Sequence, residues 1–430
     1  MLFIIKFFNN LNFFPYLVIS LLPYSFGNIL EDIRLGKEIA EKKNKKLIFI
    51  TPTILPNLLE YKIASKFLLE NVTVTKKNFI YTLVKEFFNF ILNADFLFSR
   101  LIFLFYKKKF RNKSVFNFPT VGLENIINYN KVDFDNIEKH KDFNLDFLIP
   151  NKFYKKSEDI LTRLNVDKDA KIVCIHVRDS AFHSDKKGKN YRNLNLEKNA
   201  NIENYYETIN YLLDKGYHVF RLGLIAEKKM QILREKFFDL PYLISPSEIE
   251  FLQFYLVEKC NFFIGSESGP QLLPWLKYKP TLYTNVSEFF YLTSPNINCR
   301  YTFKKIFDKK NNKYLHIKDY LNLPFKYHDV NRHDDNFSFI ENTSKELLDS
   351  VIEFEINHLN DKWELTNSQI EFNNYLKNRL KEMYTNRDQN KYNDLVEQNY
   401  KILITKNTIS NHGSATNVMI NENFKPNRIY

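Results

Sequence analysis

One short stretch joins an apolar run to charged side chains: Ile172-Val173-Cys174-Ile175, then His176, Arg178 and Asp179. The run has the length and branching of a strand buried on both faces. In open α/β sheets, ligands bind beyond the carboxyl ends of the strands. Strand alternation puts His176 and Arg178 on one face, Val177 and Asp179 on the other. A guanidinium offers a planar fork of donors to phosphate oxygens, so an arginine beside an imidazole there points to a phosphate-bearing ligand. An Arg178–Asp179 ion pair without a ligand would explain the same letters. The polar, basic segment that follows carries His183, Asp185, Tyr191, Arg192 and Asn193.

Two further stretches end apolar runs in the same manner. Ile264–Pro270 reads IGSESGP, and small or hydroxyl residues there could form a nest of backbone N–H donors for phosphate or a ribose hydroxyl. Ser266, Ser268 and Gly269 are its candidate ligands, and an ordinary N-capped turn is the alternative. Arg221-Leu222-Gly223 closes a third run with a cation and a glycine. The chain has 9 glycines in all, so those at Gly223, Gly265 and Gly269, at or just after strand ends, are informative. Three such loops facing one crevice point to a nucleotide-diphosphate pocket.

The elements needed to hold these loops follow from periodicity. At 430 residues, with 44% hydrophobic and 26% charged residues, the chain can build two globular domains. Tyr16–Leu22 reads as a first buried strand. Asn28 and Glu31 could cap a helix running to about Lys43, and Lys46–Thr51 is a second strand. A helical segment around Leu58–Leu69 and a strand at Asn71–Thr75 complete a β-α-β-α-β order, the mark of a parallel sheet.

After a junction near Leu148–Lys152, helix Ser157–Leu164 and strand Lys171–Val177 open a second alternating series. It continues with helix Ile202–Lys215, stopped by Gly216, and strand His218–Leu222. Helix Glu227–Phe238, strand Tyr242–Ile244 and a helix from Glu248 to Lys259 follow, the last with a capping box from Ser247 and Glu250. Strands Asn261–Ile264 and Thr281–Thr284 close the series. Glu341–Arg387 reads as two or three helices, and no structure is read from Asp388 onward. The expected fold class is α/β, with an amino-terminal Rossmann-like domain over 1–150, a second over 151–330 and a helical, irregular extension over 331–430.

Charge narrows the partners. The net charge is +12 and the isoelectric point about 9.1. That suits nucleic acid, an anionic membrane surface or phosphorylated small molecules. No RNP1-like aromatic cluster or zinc knuckle is present, so nucleic acid is not expected. Cys174, Cys260 and Cys299 are widely spaced and form no metal or redox motif, which fits a reducing, cytoplasmic compartment. Phe7–Leu30 lacks charge and is long enough to span a bilayer, but asparagines and prolines interrupt it. A buried strand is the reading taken, and a membrane anchor is the alternative. Phe79–Tyr106, apolar and followed by Lys107-Lys108-Lys109, is read as internal helix packing, with a peripheral membrane helix as the alternative.

The order IHVRD…YRN, GYHVFRLG, NFFIGSESGP…LPWLKYKPTLYTN resembles a family of bacterial surface-polysaccharide glycosyltransferases. More distantly, its H-x-R strand end is similar to the donor site of fucosyltransferase-like enzymes of the GT-B fold. The resemblance covers about Lys171–Asn285. It implies a metal-independent glycosyltransferase, hexosyl- or fucosyltransferase-like, that moves a sugar from a nucleotide-diphosphate sugar to a growing cell-surface glycan. The amino-terminal domain would bind a glycan or lipid-linked acceptor at the inner face of the membrane. Arg178 would contact the donor diphosphate, with His176 shaping the loop. Ser266, Ser268 and Gly269 would hold phosphate or ribose, Tyr191, Arg192 and Asn193 would line the pocket, and Arg221 would add a second cation beside Gly223. No cofactor is implied beyond the nucleotide sugar as co-substrate. The fucosyltransferases carry further basic residues after H-x-R, where this chain has Asp179.

Transfer by an inverting mechanism needs a base for the acceptor hydroxyl and charge relief for the departing diphosphate. Arg178 and the helix N-terminus near Gly269 suit the second task. Asp179, Asp185, Glu31 and Asp32 are candidates for the first, with His183 a further one. Asp133-Phe134-Asp135 and Asp167-Lys168-Asp169 match a metal-binding D-x-D, but neither follows an apolar strand. A nucleotide-sugar epimerase on the same fold and a non-catalytic basic polymer-binding protein are the other readings.

Overall fold

The structure, a computed structural model, describes residues 2–21, 26–51, 65–106, 146–182, 196–287, 298–323, 336–385, 414–417 and 419. They form two compact units, one ending at Asp159 and one beginning at Ile160.

In the first unit, the helix Leu2–Asn10 leads into β1 (Tyr16–Ser20). The helix Phe26–Lys42 then connects β1 to β2 (Lys46–Ile50), which pairs with it in parallel from Tyr16↔Lys46 to Ser20↔Ile50. β1 is buried along its whole length, as its unbroken apolar run requires. Its open edge is met by Asn9, whose side-chain amide donates to the Val18 carbonyl at 2.6 Å and accepts from the Val18 N–H at 2.8 Å. Val18, Ile48 and Ile50 pack against Tyr81, Phe88 and Leu92 of the 28-residue helix Phe79–Tyr106. No helix among the described residues is long and apolar enough to cross a membrane.

Two local expectations for this unit fail. The helix starts at Phe26, so Asn28 is its third residue and not its cap. At Asn71–Thr75 there is no strand, only an antiparallel bridge between Thr73 and Leu148. The stretch is hemmed in by the helix Lys66–Asn71 on one side. On the other, the Asn78 side chain caps the next helix by accepting from Tyr81 N–H at 2.7 Å.

The second unit is built on β3 (Ile172–His176), β4 (His218–Arg221), β5 (Phe237–Asp239), β6 (Phe262–Gly265), β7 (Thr281–Val286) and β8 (Cys299–Phe303). In space they run β5-β4-β3-β6-β7-β8, all parallel. The chain steps outward from β3 to β5, then returns to the far side of β3 and steps outward again. This is the order of a doubly wound Rossmann sheet, with its reversal between β3 and β6. Val173 and Ile175 face one layer, where Ile209 and Leu212 of the helix Tyr206–Asp214 meet Val351 and Phe354 of the helix Ser344–Leu359. Cys174 points the other way, beside Cys260 at the end of the helix Pro246–Lys259.

Gly216 stops the helix Tyr206–Asp214 as its sequence implies. It takes a φ of 86° while its N–H bonds the Leu213 carbonyl and that of Tyr217 bonds the Leu212 carbonyl. The capping box lies two residues earlier than expected, at Ser245 and Glu248, because Pro246 takes the first helical position. Glu227–Phe238, expected as a helix, is a loop over 227–236 that runs into β5, and the strand expected at Tyr242–Ile244 is displaced to β5, with the helix Leu240–Leu243 in its place. Met230 and Ile232 are buried in the loop while Leu233 is wholly exposed. Its backbone is held by Asp239, which accepts from Met230 N–H at 2.8 Å.

The chain beyond β8, including the described part of the 331–430 segment expected as an extension, belongs to this unit. Strands β9 (Lys305–Asp308), β10 (Lys313–Leu315) and β11 (Phe337–Ile340) make a small antiparallel sheet in the order β10-β9-β11. The helix Ser344–Leu359 then covers the main sheet. The helix Asn367–Thr385 packs Phe372 and Leu376 against Phe303, and the two-residue β12 (Ser414–Ala415) adds in parallel to the edge of β8.

Candidate functional site

The reversal of strand order brings the carboxyl ends of β3 and β6 side by side, with His176 opposite Gly265. The chain leaving β3 is fixed at each step. Ser266 N–H donates to the His176 carbonyl at 3.0 Å, and the Ser266 hydroxyl accepts from Arg178 N–H at 2.7 Å. The Arg178 carbonyl in turn accepts from Ala200 N–H at 2.9 Å. Arg178 is thus pinned through both backbone groups while its side chain stays part-exposed. Ser266 is fully buried and acts as the clamp, not as an open ligand.

Ser268 is extended, at φ −155°, and makes no cap with its side chain. Its hydroxyl lies 2.8 Å from His176 Nδ1. Burial of the ring, then the charges of Arg221 and Arg178, push the His176 pKa down to about 3, so the imidazole is neutral at ordinary pH. Gly223, at φ 130°, lies against the Nε2 edge of the same ring. That backbone conformation excludes a side-chain residue, so glycine here lets the β4 loop close on His176. Gly269 opens a three-residue 3₁₀ turn before the five-residue helix Leu272–Leu276. The turn is too short to supply the helix field that a longer element would.

Arg221 and Asp179 call for correction. Arg221 is 2% exposed, and its Nη1 donates to the Lys228 carbonyl at 2.7 Å and to Asp239 at 3.2 Å, with Asp179 3.8 Å from Nη2. It joins loops within the protein and does not present a second cation to a ligand. Asp179 accepts from Ala181 N–H through one oxygen and from Glu227 N–H through the other, each at 2.9 Å. Its carboxylate ties the β3 loop to the β4 loop, an arrangement that suits a tether more than a proton acceptor.

Tyr191, Arg192 and Asn193, with His183 and Asp185, lie outside the described residues. Glu31 falls in the helix Phe26–Lys42 of the first unit, and its side chain is likewise outside them. Asp167 and Asp169 sit on an exposed turn before β3, at the opposite end of the strand from His176.

Three residues escaped the sequence reading. Asp239 is the buried partner of Arg221. Glu267, in the middle of the serine-rich loop, is 7% exposed and accepts from both N–H and hydroxyl of Ser287, at 2.7 and 2.6 Å, so it binds the end of β7 to the end of β6. Lys304, just past β8, is buried and donates to the Asn199 carbonyl at 2.5 Å, and burial lowers its pKa. Glu267 had left a signal. A carboxylate in a loop otherwise suited to anions requires a partner of its own.

No family model matches the sequence, and no curated protein does. Among solved structures, the chain is similar to a family 9 glycosyl transferase from Veillonella parvula DSM 2008. The identity is 12%, the likeness covers 67% of this chain and 86% of that one, and the TM-score is 0.40. It is also similar to E. coli ADP-heptose lps heptosyltransferase II, at 10% identity, 66% and 92% coverage and a TM-score of 0.36. A third is the iron-containing dodecameric glycosyltransferase TibC of enterotoxigenic E. coli H10407, at 13% identity, 66% and 60% coverage and a TM-score of 0.27.

Proposed function

We propose that the second unit is the nucleotide-sugar half of a glycosyltransferase of GT-B type that transfers a sugar to a growing cell-surface glycan in the cytoplasm. One observation carries the reading. His176, Arg178, Ser268 and Gly223, singled out from separate stretches of sequence, meet at the β3–β6 reversal of a Rossmann sheet. That crevice is where such sheets take their ligands.

Arg178 would meet the donor diphosphate and relieve the negative charge that grows as the sugar departs. A backbone held on both sides fixes where the Arg178 side chain starts, so the loop itself need not be ordered at the moment of binding. His176 would act as a neutral wall of the pocket, held by Ser268. A protonated ring would compete with Arg178 for the same phosphate oxygens. The diphosphate would be met by this arginine and not by a metal on Asp167 and Asp169, which lie at the wrong end of β3, while Asp133 and Asp135 lie outside the described residues. Turnover unaffected by a chelator is the expected outcome, and chelator-sensitive turnover would remove that part of the reading.

The test is thermal stability of wild type and Arg178→Ala against GDP, UDP, CMP, ADP and dTDP. A nucleotide at about a hundred times its dissociation constant stabilises the folded state by roughly 2.7 kcal/mol. At about 2–4 °C per kcal/mol the midpoint rises by several degrees. A rise with one nucleotide, lost in Arg178→Ala, is expected. No rise with any of them, in folded wild type, would overturn the reading.

A further inference from the structure

The helix Phe79–Tyr106 of the first unit is apolar on two sides. One side holds Tyr81, Phe88, Ile91 and Leu92, buried against the β1–β2 pair. The other exposes Phe79 (77%), Leu83 (54%), Phe87 (51%), Phe90 (73%) and Leu97 (47%). At 100° per residue these five side chains fall within about 80° of arc, and the stripe is about 27 Å long. On the neighbouring helix Leu2–Asn10, Phe8 packs edge-on to Phe88 of the buried side, and Phe7 is 52% exposed. Scattered exposed apolar residues are ordinary, but a continuous stripe of this length marks an interaction surface.

Charge identifies the partner. Residues 1–113 hold 18 Lys and Arg against 8 Asp and Glu, so +10 of the net +12 lies in the quarter of the chain that carries the stripe. Lys76 and Lys77 are exposed immediately before the helix, and the sequence continues after it as Lys107-Lys108-Lys109-Phe110-Arg111. A protein partner would need no such sign bias. An anionic lipid surface does, since basic residues at the ends of an apolar helix reach headgroups while the aromatic stripe enters the acyl boundary. Lys85, Glu86, Asp95 and Arg100 interrupt the sequence too often for a span, which leaves the helix to lie along the surface.

We infer that the Phe79–Leu97 face, with the exposed Lys76 and Lys77 before it, docks the first unit on an anionic lipid membrane. The inference is independent of the nucleotide site. Full-length protein is floated with vesicles of phosphatidylcholine alone and with vesicles of phosphatidylcholine and phosphatidylglycerol in equal parts. Binding to the anionic vesicles only, weakened by salt, is expected. Phe87→Glu with Phe90→Glu should lower partition at least about tenfold, and Lys76→Glu with Lys77→Glu by less. Wild type that ignores anionic vesicles, or a Phe87/Phe90 double variant that binds as well as wild type, would overturn the inference. So would vesicle-independent self-association that the same double variant abolishes, because the stripe would then join copies of the chain.

A second measurement does not depend on how the glutamate variants fold. The native cysteines Cys174, Cys260 and Cys299 are buried, so a Phe90→Cys variant can be labelled selectively with a polarity-sensitive fluorophore. Its emission should shift to the blue on anionic vesicles, and that of a label at exposed Glu235→Cys in the second unit should not. An unchanged Phe90→Cys label would overturn the inference.

Discussion

Arg178 and Arg221 stand at the carboxyl ends of adjacent parallel strands, and in the sequence they look alike. The structure makes them opposites. Arg221 is 2% exposed and is consumed by Asp239, Asp179 and the Lys228 carbonyl. Arg178 is part-exposed, and both its backbone N–H and its carbonyl are bonded. Their strands explain the difference. β4 lies between β3 and β5, so its end is walled in by Asp239 of β5, paired directly with Arg221 in register. β3 borders the reversal, and its end opens beside the Gly265 end of β6. A buried arginine with carboxylates organises the protein, whereas an arginine fixed through its backbone stands part-exposed beside the strand reversal.

The sharpest test of this contrast is stability. Arg221→Met leaves Asp239 buried without its cation and should destabilise the chain by about 3–5 kcal/mol in urea unfolding. Arg178→Ala should stay within about 1 kcal/mol of wild type. Arg221→Met combined with Asp239→Leu should recover much of the loss, since removing both charges removes the unpaired one. Equal effects from the two single substitutions would erase the distinction between the arginines.

The pH dependence reports on the same opening from the side of His176. Its pKa is pushed down to about 3 in the folded chain, first by burial and then by the two arginines. In the unfolded chain an imidazole titrates near 6.5. Between those values the unfolded state binds a proton that the folded state does not. The contribution is therefore complete above about pH 6.5 and is lost as pH falls toward 3, by at most about 1.4 kcal/mol per pH unit. A His176→Asn variant should show a correspondingly flatter stability curve across that window. Parallel curves for the two proteins would mean that the ring is not held neutral by its surroundings.

Much of this contrast could not be read before the fold was known. The apolar runs of β3, β4, β6 and β7 are long enough to declare themselves as strands, and polar residues follow directly at their carboxyl ends. Which side chains remain open there depends on strand order, and strand order is non-local. Nothing near Arg221 in sequence announces that Asp239 will be its register partner, because residues 227–238 carry apolar spacing that suits a helix as well as a loop. Glu267 and Ser287 likewise meet only because β6 and β7 are neighbours. The helix Ser344–Leu359 looked like an appendage since its apolar face has no local partner. Phe354 finds Phe262, 92 positions earlier in the chain, at a ring distance of 5.5 Å. The helix Phe79–Tyr106 buries Tyr81, Phe88 and Leu92 against the β1–β2 pair and exposes Phe79, Phe87 and Phe90, a division its nearly all-apolar sequence does not mark.

Ser266 gives a smaller effect that separates clamp from ligand. Ser266→Ala removes the acceptor for Arg178 N–H at a fully buried position, which should lower stability by about 1–3 kcal/mol. If Ser266 serves only to hold the chain, nucleotide affinity should fall moderately, through the position of Arg178. Loss of nucleotide binding as complete as in Arg178→Ala would instead give the serine a direct contact with the ligand.

Asp179→Asn is expected to have a small effect on stability and the most to say about chemistry. An asparagine keeps one acceptor oxygen but offers an NH₂ where the carboxylate had its second, so one of the bonds from Ala181 or Glu227 is lost. That should cost about 1 kcal/mol. As a tether, Asp179 should affect turnover only through the β3 loop, with a small rise in KM for the nucleotide sugar and an unshifted pH–rate profile. As the base that its sequence position allows, it would be needed in the transition state itself, and kcat would fall by about 10²–10⁴ with the acidic limb of the profile removed. The two outcomes differ by orders of magnitude in kcat, so one measurement assigns Asp179 either to the closed region around Arg221 or to the open one around Arg178.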